Sequence, residues 1–194
     1  MDSLTQAVLG ATVQGIGMGR QQGRKALVYG ALLGTLPDLD VLIRYADPVS
    51  SMTYHRGFSH SVFVLAALAA LIAWAVKKRY PDAPYSARRL FFTSAASLIT
   101  HPLLDAFTVY GTQLLWPFTP TPQQWSGVFI IDPLYTVPML LALAHAAWHG
   151  ISRNAWRGLS ATFLWGCFYL AFGVFGSHYH AERVRATLAG EGIT

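Results

Sequence analysis

Charge is scarce in this chain. Asp, Glu, Lys and Arg together make up 12% of its 194 residues, about half the share of an ordinary water-soluble domain. With 53% hydrophobic residues and a mean hydropathy of +0.37, too little polar surface remains to cover a soluble globule, which points to lipid as the solvent. Cysteine is almost missing. Cys167 stands alone inside an apolar run, so no intrachain disulfide framework and no thiolate metal site can be built. There is no internal repeat and no low-complexity tract, and residues 1–194 read as a single domain. A basic n-region is lacking as well: Met1-Asp2-Ser3 is acidic, so the first apolar run is expected to belong to the mature protein. Acidic residues are the scarcer sign, nine against fourteen basic, for a net charge of +5. The basic residues sit in short clusters between apolar runs, not along one face. This excludes a nucleic-acid partner and fits loop charges that set membrane orientation.

What the chain does have is a series of apolar segments. Residues 58–76 form a run of 19 without Lys, Arg, Asp or Glu, ending at Lys77-Lys78-Arg79, and a span needs about 20 such residues. Residues 4–18, 26–43, 90–109, 128–148 and 159–176 are similar in length, several of them interrupted by Pro, Asp or His. The expected fold is an all-α, multi-pass transmembrane bundle of about five to six membrane-embedded helices. If the chain weaves up and down, ten of the fourteen basic residues fall on one side. The positive-inside rule places that side in the cytoplasm of a cell (inner) membrane.

That weave carries a second consequence. Asp2 and Gln6 open the first segment, Asp38 and Asp40 come late in the second, and His55, Arg56 and His60 bracket the start of the third. His101 and Asp105 come late in the fourth, and Asp132 opens the fifth. All fall at the same, extracytoplasmic end, so a metal site is expected there.

Pro37-Asp38-Leu39-Asp40 places two carboxylates at an apolar helix end, where they are costly unless paired or metal-bound; solvation by water is the plain alternative. His55-Arg56-Gly57-Phe58-Ser59-His60-Ser61 offers two imidazoles for a zinc-like ion and an Arg suited to a phosphate. Snorkelling toward headgroups is the alternative for these. His101-Pro102-Leu103-Leu104-Asp105 puts a His and an Asp on one helix face, either as joint ligands or with the Asp orienting the His. Asp132 before Pro133 reads equally as a helix cap. His178 and His180 read as solvated, and His145 and His149 as interfacial. Tyr110, Trp116, Phe118 and Trp125 suggest an interfacial aromatic belt, or contacts to an acyl chain.

Met1-Asp2-Ser3-Leu4-Thr5-Gln6, Pro37-Asp38-Leu39-Asp40, His55 to Ser61, His101 to Asp105 and Tyr110-Gly111-Thr112 together resemble the YdjM-like family, described as membrane-bound metal-dependent hydrolases. The resemblance runs from residue 1 to about 140. A more distant similarity links the His-x-x-x-Asp motif to the zinc-dependent phospholipase C and P1 nuclease group. The resemblance implies Asp38, His55, His60, His101 and Asp105 as metal ligands. Many YdjM-like sequences have His where this chain has Gln6. Gln is a poor zinc ligand, which implies either fewer ions or a substrate contact at Gln6.

The function expected from these residues is hydrolysis of a phosphoester in a membrane lipid or lipid-linked substrate. One or two divalent ions, zinc first and manganese second, would activate water. Arg56 would stabilise phosphoryl charge, Asp40 would act as general base or orienter, and Gln6, Arg56, Tyr110 and Asp132 would contact substrate. A transporter or ion pathway is the first alternative, disfavoured by the apolar second half of segment three and by segment six. A non-catalytic membrane protein with a structural metal is the second.

Overall fold

The computed structural model describes residues 2–42, 56–119 and 121–190. The described residues are all-α, with six helices among them: α1 (Ser3–Gln22), α2 (Lys25–Thr35), α3 (Val62–Arg79), α4 (Ala87–Ala106), α5 (Pro133–His149) and α6 (Arg153–Gly190). Two 3-10 turns, Leu36–Leu42 and Phe58–His60, follow α2 and precede α3. Among the described residues there is no strand, only one antiparallel bridge between Thr112 and Gln123.

Local chemistry sets the helix ends. The Asp2 carboxylate accepts hydrogen bonds from the Thr5 amide and hydroxyl at 2.9 and 2.6 Å and starts α1. Gly23, at φ +59°, ends it. Ser61, Ser86 and Asp132 cap α3, α4 and α5 in the same way, and Pro133 occupies the first turn of α5.

α1 is the central helix and packs against α2, α4, α5 and α6. Its contact with α2 is backbone on backbone. A Cβ on Gly10 would lie 2.3 Å from the Gly30 carbonyl oxygen, and one on Gly34 would lie 2.4 Å from the Gln6 carbonyl oxygen. Only glycine allows that approach. Val8, Leu9, Leu104, Tyr135 and Met139 form one buried cluster, and Met18, Ala26, Ala73 and Leu90 form another nearer the far end.

Three arginines meet the chain at the end of α1 away from Gln6. Arg20 stacks over Trp156 at 5.6 Å, Arg24 bonds the Trp148 carbonyl at 2.7 Å, and Arg89 bonds the Gly17 carbonyl at 2.8 and 3.0 Å. Arg20 lies about 21 Å along α1 from Gln6, at 1.5 Å per residue.

The span assignments need correction. Segment 26–43 is not one helix. α2 stops after 11 residues, about 17 Å, against a hydrocarbon core of about 30 Å. Pro37 lacks an N–H and cannot continue the α-helical ladder, and the chain tightens into a 3-10 turn. α3 begins at Val62 rather than at Phe58, and the basic Lys77-Lys78-Arg79 lies inside its last turn. Among the described residues, α6 alone is long and apolar enough to cross a membrane. It runs for 38 residues, well past residue 176, and leaves Leu164, Phe168, Phe172 and Phe175 exposed.

Candidate metal centre

Three elements bring the site together. The 3-10 turn after α2 supplies Asp38, the turn before α3 supplies His60, and α4 supplies His101 and Asp105. One ligand atom from each of these four residues lies within 4.8 Å of all the others, the one such group among the described residues. His60, His101 and Asp105 are buried, while the Asp38 side chain keeps 26% of its surface exposed.

The spacing tests whether a cation fits. His101 Nε2 lies 3.2 Å from Asp38 Oδ1 and 3.6 Å from Asp105 Oδ2, and His60 Nε2 lies 3.5 Å from each of the same two oxygens. Ligands held about 2.1 Å from a tetrahedral zinc stand about 3.4 Å apart along each edge. The four N–O separations are close to that edge, and mixed imidazole and carboxylate donors suit a divalent cation.

Each imidazole is oriented from behind. His101 Nδ1 donates to the Gly34 carbonyl oxygen. Ser59 Oγ donates to Asp40 Oδ2 at 2.6 Å and so accepts from His60 Nδ1 at 2.9 Å. Each ring is thus engaged from behind at Nδ1 and aims Nε2 at the cluster, the orientation that a metal-binding histidine needs. Gln6 Nε2 donates to Asp105 Oδ1 at 3.1 Å and to the His101 carbonyl at 3.3 Å. Gln6 thus steadies Asp105.

Electrostatics follow from this packing. Burial raises the Asp38 carboxyl, but hydrogen bonds and charge from His101 and His60 outweigh it and hold Asp38 well below the usual carboxylate value. Burial lowers the His60 imidazole, but Asp105, Asp38 and Asp40 outweigh it and leave His60 above its ordinary value.

Arg56 stands at the rim with φ +65°. Its amide donates to Asp40 Oδ2 at 3.3 Å, its Nε lies 3.5 Å from Asp105 Oδ2, and its guanidinium stacks over Tyr110 at 5.4 Å. Arg56 Nη1 is buried and makes no hydrogen bond among the described residues.

The structure thus brings together Asp38, Asp40, Arg56, His60, His101, Asp105, Gln6 and Tyr110. His55 lies outside the described residues. Asp132 caps α5 and accepts from Tyr169 Oη at 2.8 Å. His178 and His180 lie on the exposed end of α6, and His145 and His149 pair with each other at 4.7 Å. Trp116, Phe118 and Trp125 pack edge-on against Phe58, Phe63 and Phe107. Sequence reading missed Ser59 and the Gly34 carbonyl. A hydroxyl directly before His60 was the available signal for the first; a backbone carbonyl leaves none.

Ser59→Ala tests this support. It removes the link from His60 to Asp40 without touching a ligand. Zinc affinity is expected to fall about 10- to 100-fold in a competition titration against a chromophoric chelator, with an unchanged helical circular dichroism spectrum.

The chain matches the family model described as YdjM inner membrane protein over residues 1–180, further than the 140 residues expected from the motifs. It is 26% identical over 157 residues to "Uncharacterized protein YfhP" of Bacillus subtilis (strain 168), covering 74% of this chain and 46% of that protein. It is 34% identical over 109 residues to "Inner membrane protein YbcI" of Escherichia coli (strain K12), covering 54% of this chain and 61% of that protein. The chain therefore spans about half the length of the curated relatives it matches. No solved structure matches it. From the first turn of α1 to the exposed end of α6, the chain belongs to the YdjM inner membrane protein family.

Proposed function

We propose that this protein is a membrane-embedded, metal-dependent hydrolase that cleaves a phosphoester of a lipid or lipid-linked substrate. The observation that carries the reading is the group Asp38, His60, His101 and Asp105, whose ligand atoms lie within 4.8 Å of one another. These four residues hold the cation, zinc in the first instance. When bound, such an ion lowers the pKa of a coordinated water to about 7 and polarises a phosphoryl oxygen.

The chain's own groups supply the rest. Arg56 binds the phosphoryl oxygens, with its buried Nη1 available as a donor. Tyr110 keeps the guanidinium plane in place. Asp40 orients His60 through Ser59 and fixes the Arg56 backbone. Gln6 holds Asp105. In this reading the helices other than α6 are also membrane-embedded, the basic loops face the cytoplasm, and the site opens on the extracytoplasmic side.

Four protein ligands also suit a closed structural zinc site. The half-open Asp38 and the unsatisfied Arg56 Nη1 favour an anionic substrate over that reading. The test is hydrolysis of a chromogenic aryl phosphodiester and of phosphatidylglycerol by detergent-purified protein loaded with zinc or manganese. Arg56→Lys keeps the charge but loses the planar fork. It is expected to cut turnover about 100-fold or more with metal content unchanged. Zinc-loaded protein that releases no product from either substrate would sink the hydrolase reading.

A further inference from the structure

One end of the bundle carries the marks of a membrane boundary. Four cations there stack over aromatic rings: Arg20 over Trp156, Lys78 over Trp74, Arg79 over Tyr80 and Arg88 over Phe92. Basic charge set on an aromatic belt is the composition of an interface. Three helices measure the distance from that plane to the metal cluster. Along α1, Gln6, which bonds Asp105, stands about 21 Å from Arg20. Along α3, Val62, two residues past His60, stands about 18 Å from Trp74. Both fall about 10 Å short of a hydrocarbon core of about 30 Å. The third measure is α6, whose apolar run ends at Gly176. A Cβ on Gly166 would lie 3.0 Å from the Tyr135 ring, and the neighbouring Thr136 hydroxyl pairs with that of Thr5, beside Gln6, at 2.8 Å. The cluster is therefore level with a point about 15 Å before the end of that run.

The segment joining α4 to α5 fits the same depth. Residues 107–131 contain no Asp, Glu, Lys, Arg or His, and Val109, Phe118, Phe129 and Ile131 are each more than half exposed. Gly127 meets Gly173 of α6 backbone to backbone, before the apolar run ends. Non-helical backbone is tolerated at membrane depth only where its polar groups find partners in the protein. Here the Trp125 and Gly127 amides donate to the Ala106 and Phe107 carbonyls at 2.7 and 2.8 Å, and Thr112 and Gln123 exchange bonds of 3.0 and 2.8 Å. The Leu114 carbonyl accepts from the Val62 amide at 3.0 Å, and the Trp116 carbonyl accepts from Ser61 Oγ at 2.6 Å.

We infer that the site end of the bundle is submerged in the leaflet opposite the basic end. The 107–131 segment presents Val109, Phe118, Phe129 and Ile131 to acyl chains, and the Asp–His cluster lies about 10 Å inside the hydrocarbon boundary. Continuity with the exposed apolar face of α6, in a chain of an inner membrane family, names lipid as what covers this surface. The depth rests on α6 crossing the membrane with the other helices embedded beside it, as proposed above, and not on a bound metal or on hydrolysis. It sharpens the substrate class of the site. A phosphoester must descend from the headgroup plane to reach Arg56 and the half-open Asp38, which favours a phosphate tethered in that leaflet over a water-soluble one.

The experiment measures depth directly. Val109→Cys, Phe118→Cys and Phe129→Cys, each in a Cys167→Ser background, are spin-labelled and reconstituted in vesicles of phosphatidylethanolamine and phosphatidylglycerol. Phe168→Cys, inside the apolar run of α6, and Val184→Cys, beyond it, calibrate the scale. Power-saturation spectra compare collisions with molecular oxygen, which concentrates in hydrocarbon, and with a nickel chelate, which stays in water. The oxygen-to-nickel ratio at Val109 and Phe129 should approach that at Phe168 and exceed that at Val184 on the order of tenfold. Phe118 serves in place of either if that variant fails to fold. Ratios nearer to Val184 than to Phe168 overturn the inference, as do labels shielded from both reagents, the signature of a second copy covering the segment. Metal is measured on the same vesicles. Metal-loaded protein with water-exposed labels would overturn the depth and leave the metal reading intact. Submerged labels on protein that takes up no metal would support the depth and remove the hydrolase reading.

Discussion

His101→Ala is expected to abolish metal binding. Wild-type protein should carry about one equivalent of zinc, and the variant below about a tenth of that by plasma mass spectrometry. A buried tetrahedral site derives its affinity from all four ligands, and removing one leaves the remaining charges unbalanced. His101 Nε2 lies 3.2 Å from Asp38 and 3.6 Å from Asp105, and its loss leaves both carboxylates without that partner. The alanine also leaves a cavity, costing about 2–4 kcal/mol by itself, and severs the bond to the Gly34 carbonyl. His101→Asn separates the two effects. Its side-chain nitrogen can still donate to Gly34, but it offers no Nε2 to the cluster. The asparagine variant should also lose zinc while melting close to metal-free wild type.

Stability supplies the second readout. Zinc at about 100 times its dissociation constant stabilises a native state by about 2.7 kcal/mol, worth about 5–10 °C in melting temperature for a chain of this size. Chelation should lower the wild-type melting temperature by that amount and leave both His101 variants unmoved. A variant that keeps zinc would remove His101 from the ligand set. Wild-type protein that unfolds completely on chelation would favour the structural-metal alternative.

The four clustered residues were legible as candidates in the sequence because the pattern carried two independent constraints. His and Asp four apart on one helix share a face, which put His101 and Asp105 together. Alternating helix direction, with basic loops at the other end, placed the Pro-Asp-x-Asp and His-Arg-Gly-Phe-Ser-His motifs beside them. What the pattern left open was how Asp38 and Asp40 divide their work. In a 3-10 turn, residues two apart point about 240° from one another. Asp38 therefore reaches the histidines, while Asp40 turns to Ser59 and the Arg56 backbone. Periodicity at 3.6 could not show this, since the switch at Pro37 changes the period. The far end of α6 was lost for a different reason. Polar Ser177 to His180 and the arginines beyond end the apolar run, but Ala, Glu and Arg are good helix formers, so the helix outlasts its hydrophobicity. The Gly34 carbonyl that orients His101 was beyond reach, because side-chain patterns carry no information about backbone acceptors.

That carbonyl leads to the second large effect, reached from a residue that touches no ligand atom. Gly34→Ala adds one methyl group, whose carbon would stand 2.4 Å from the Gln6 carbonyl oxygen and 3.0 Å from Gly10 Cα. Both obstacles are backbone, so no rotamer change relieves the clash and α2 must move away from α1. Overpacking of this kind costs about 3 kcal/mol, expected as a fall of about 6–12 °C in melting temperature. The displacement also reaches the site along two routes. Gly34 carries the carbonyl that holds His101, and Gln6, on the other side of the clash, holds Asp105. Zinc affinity should therefore fall about tenfold or more although all four ligands are intact. Gly176→Ala is the control: a Cβ there meets nothing within 4 Å, and alanine is the better helix former by about 1 kcal/mol, so that variant should melt no lower than wild type and bind zinc equally. If Gly34→Ala lost stability but kept full zinc affinity, the glycine seam would be packing alone, and the orientation of His101 would have to come from α4 itself. If it lost both, the seam between α1 and α2 would be what holds the His101 and Asp105 donors at tetrahedral spacing.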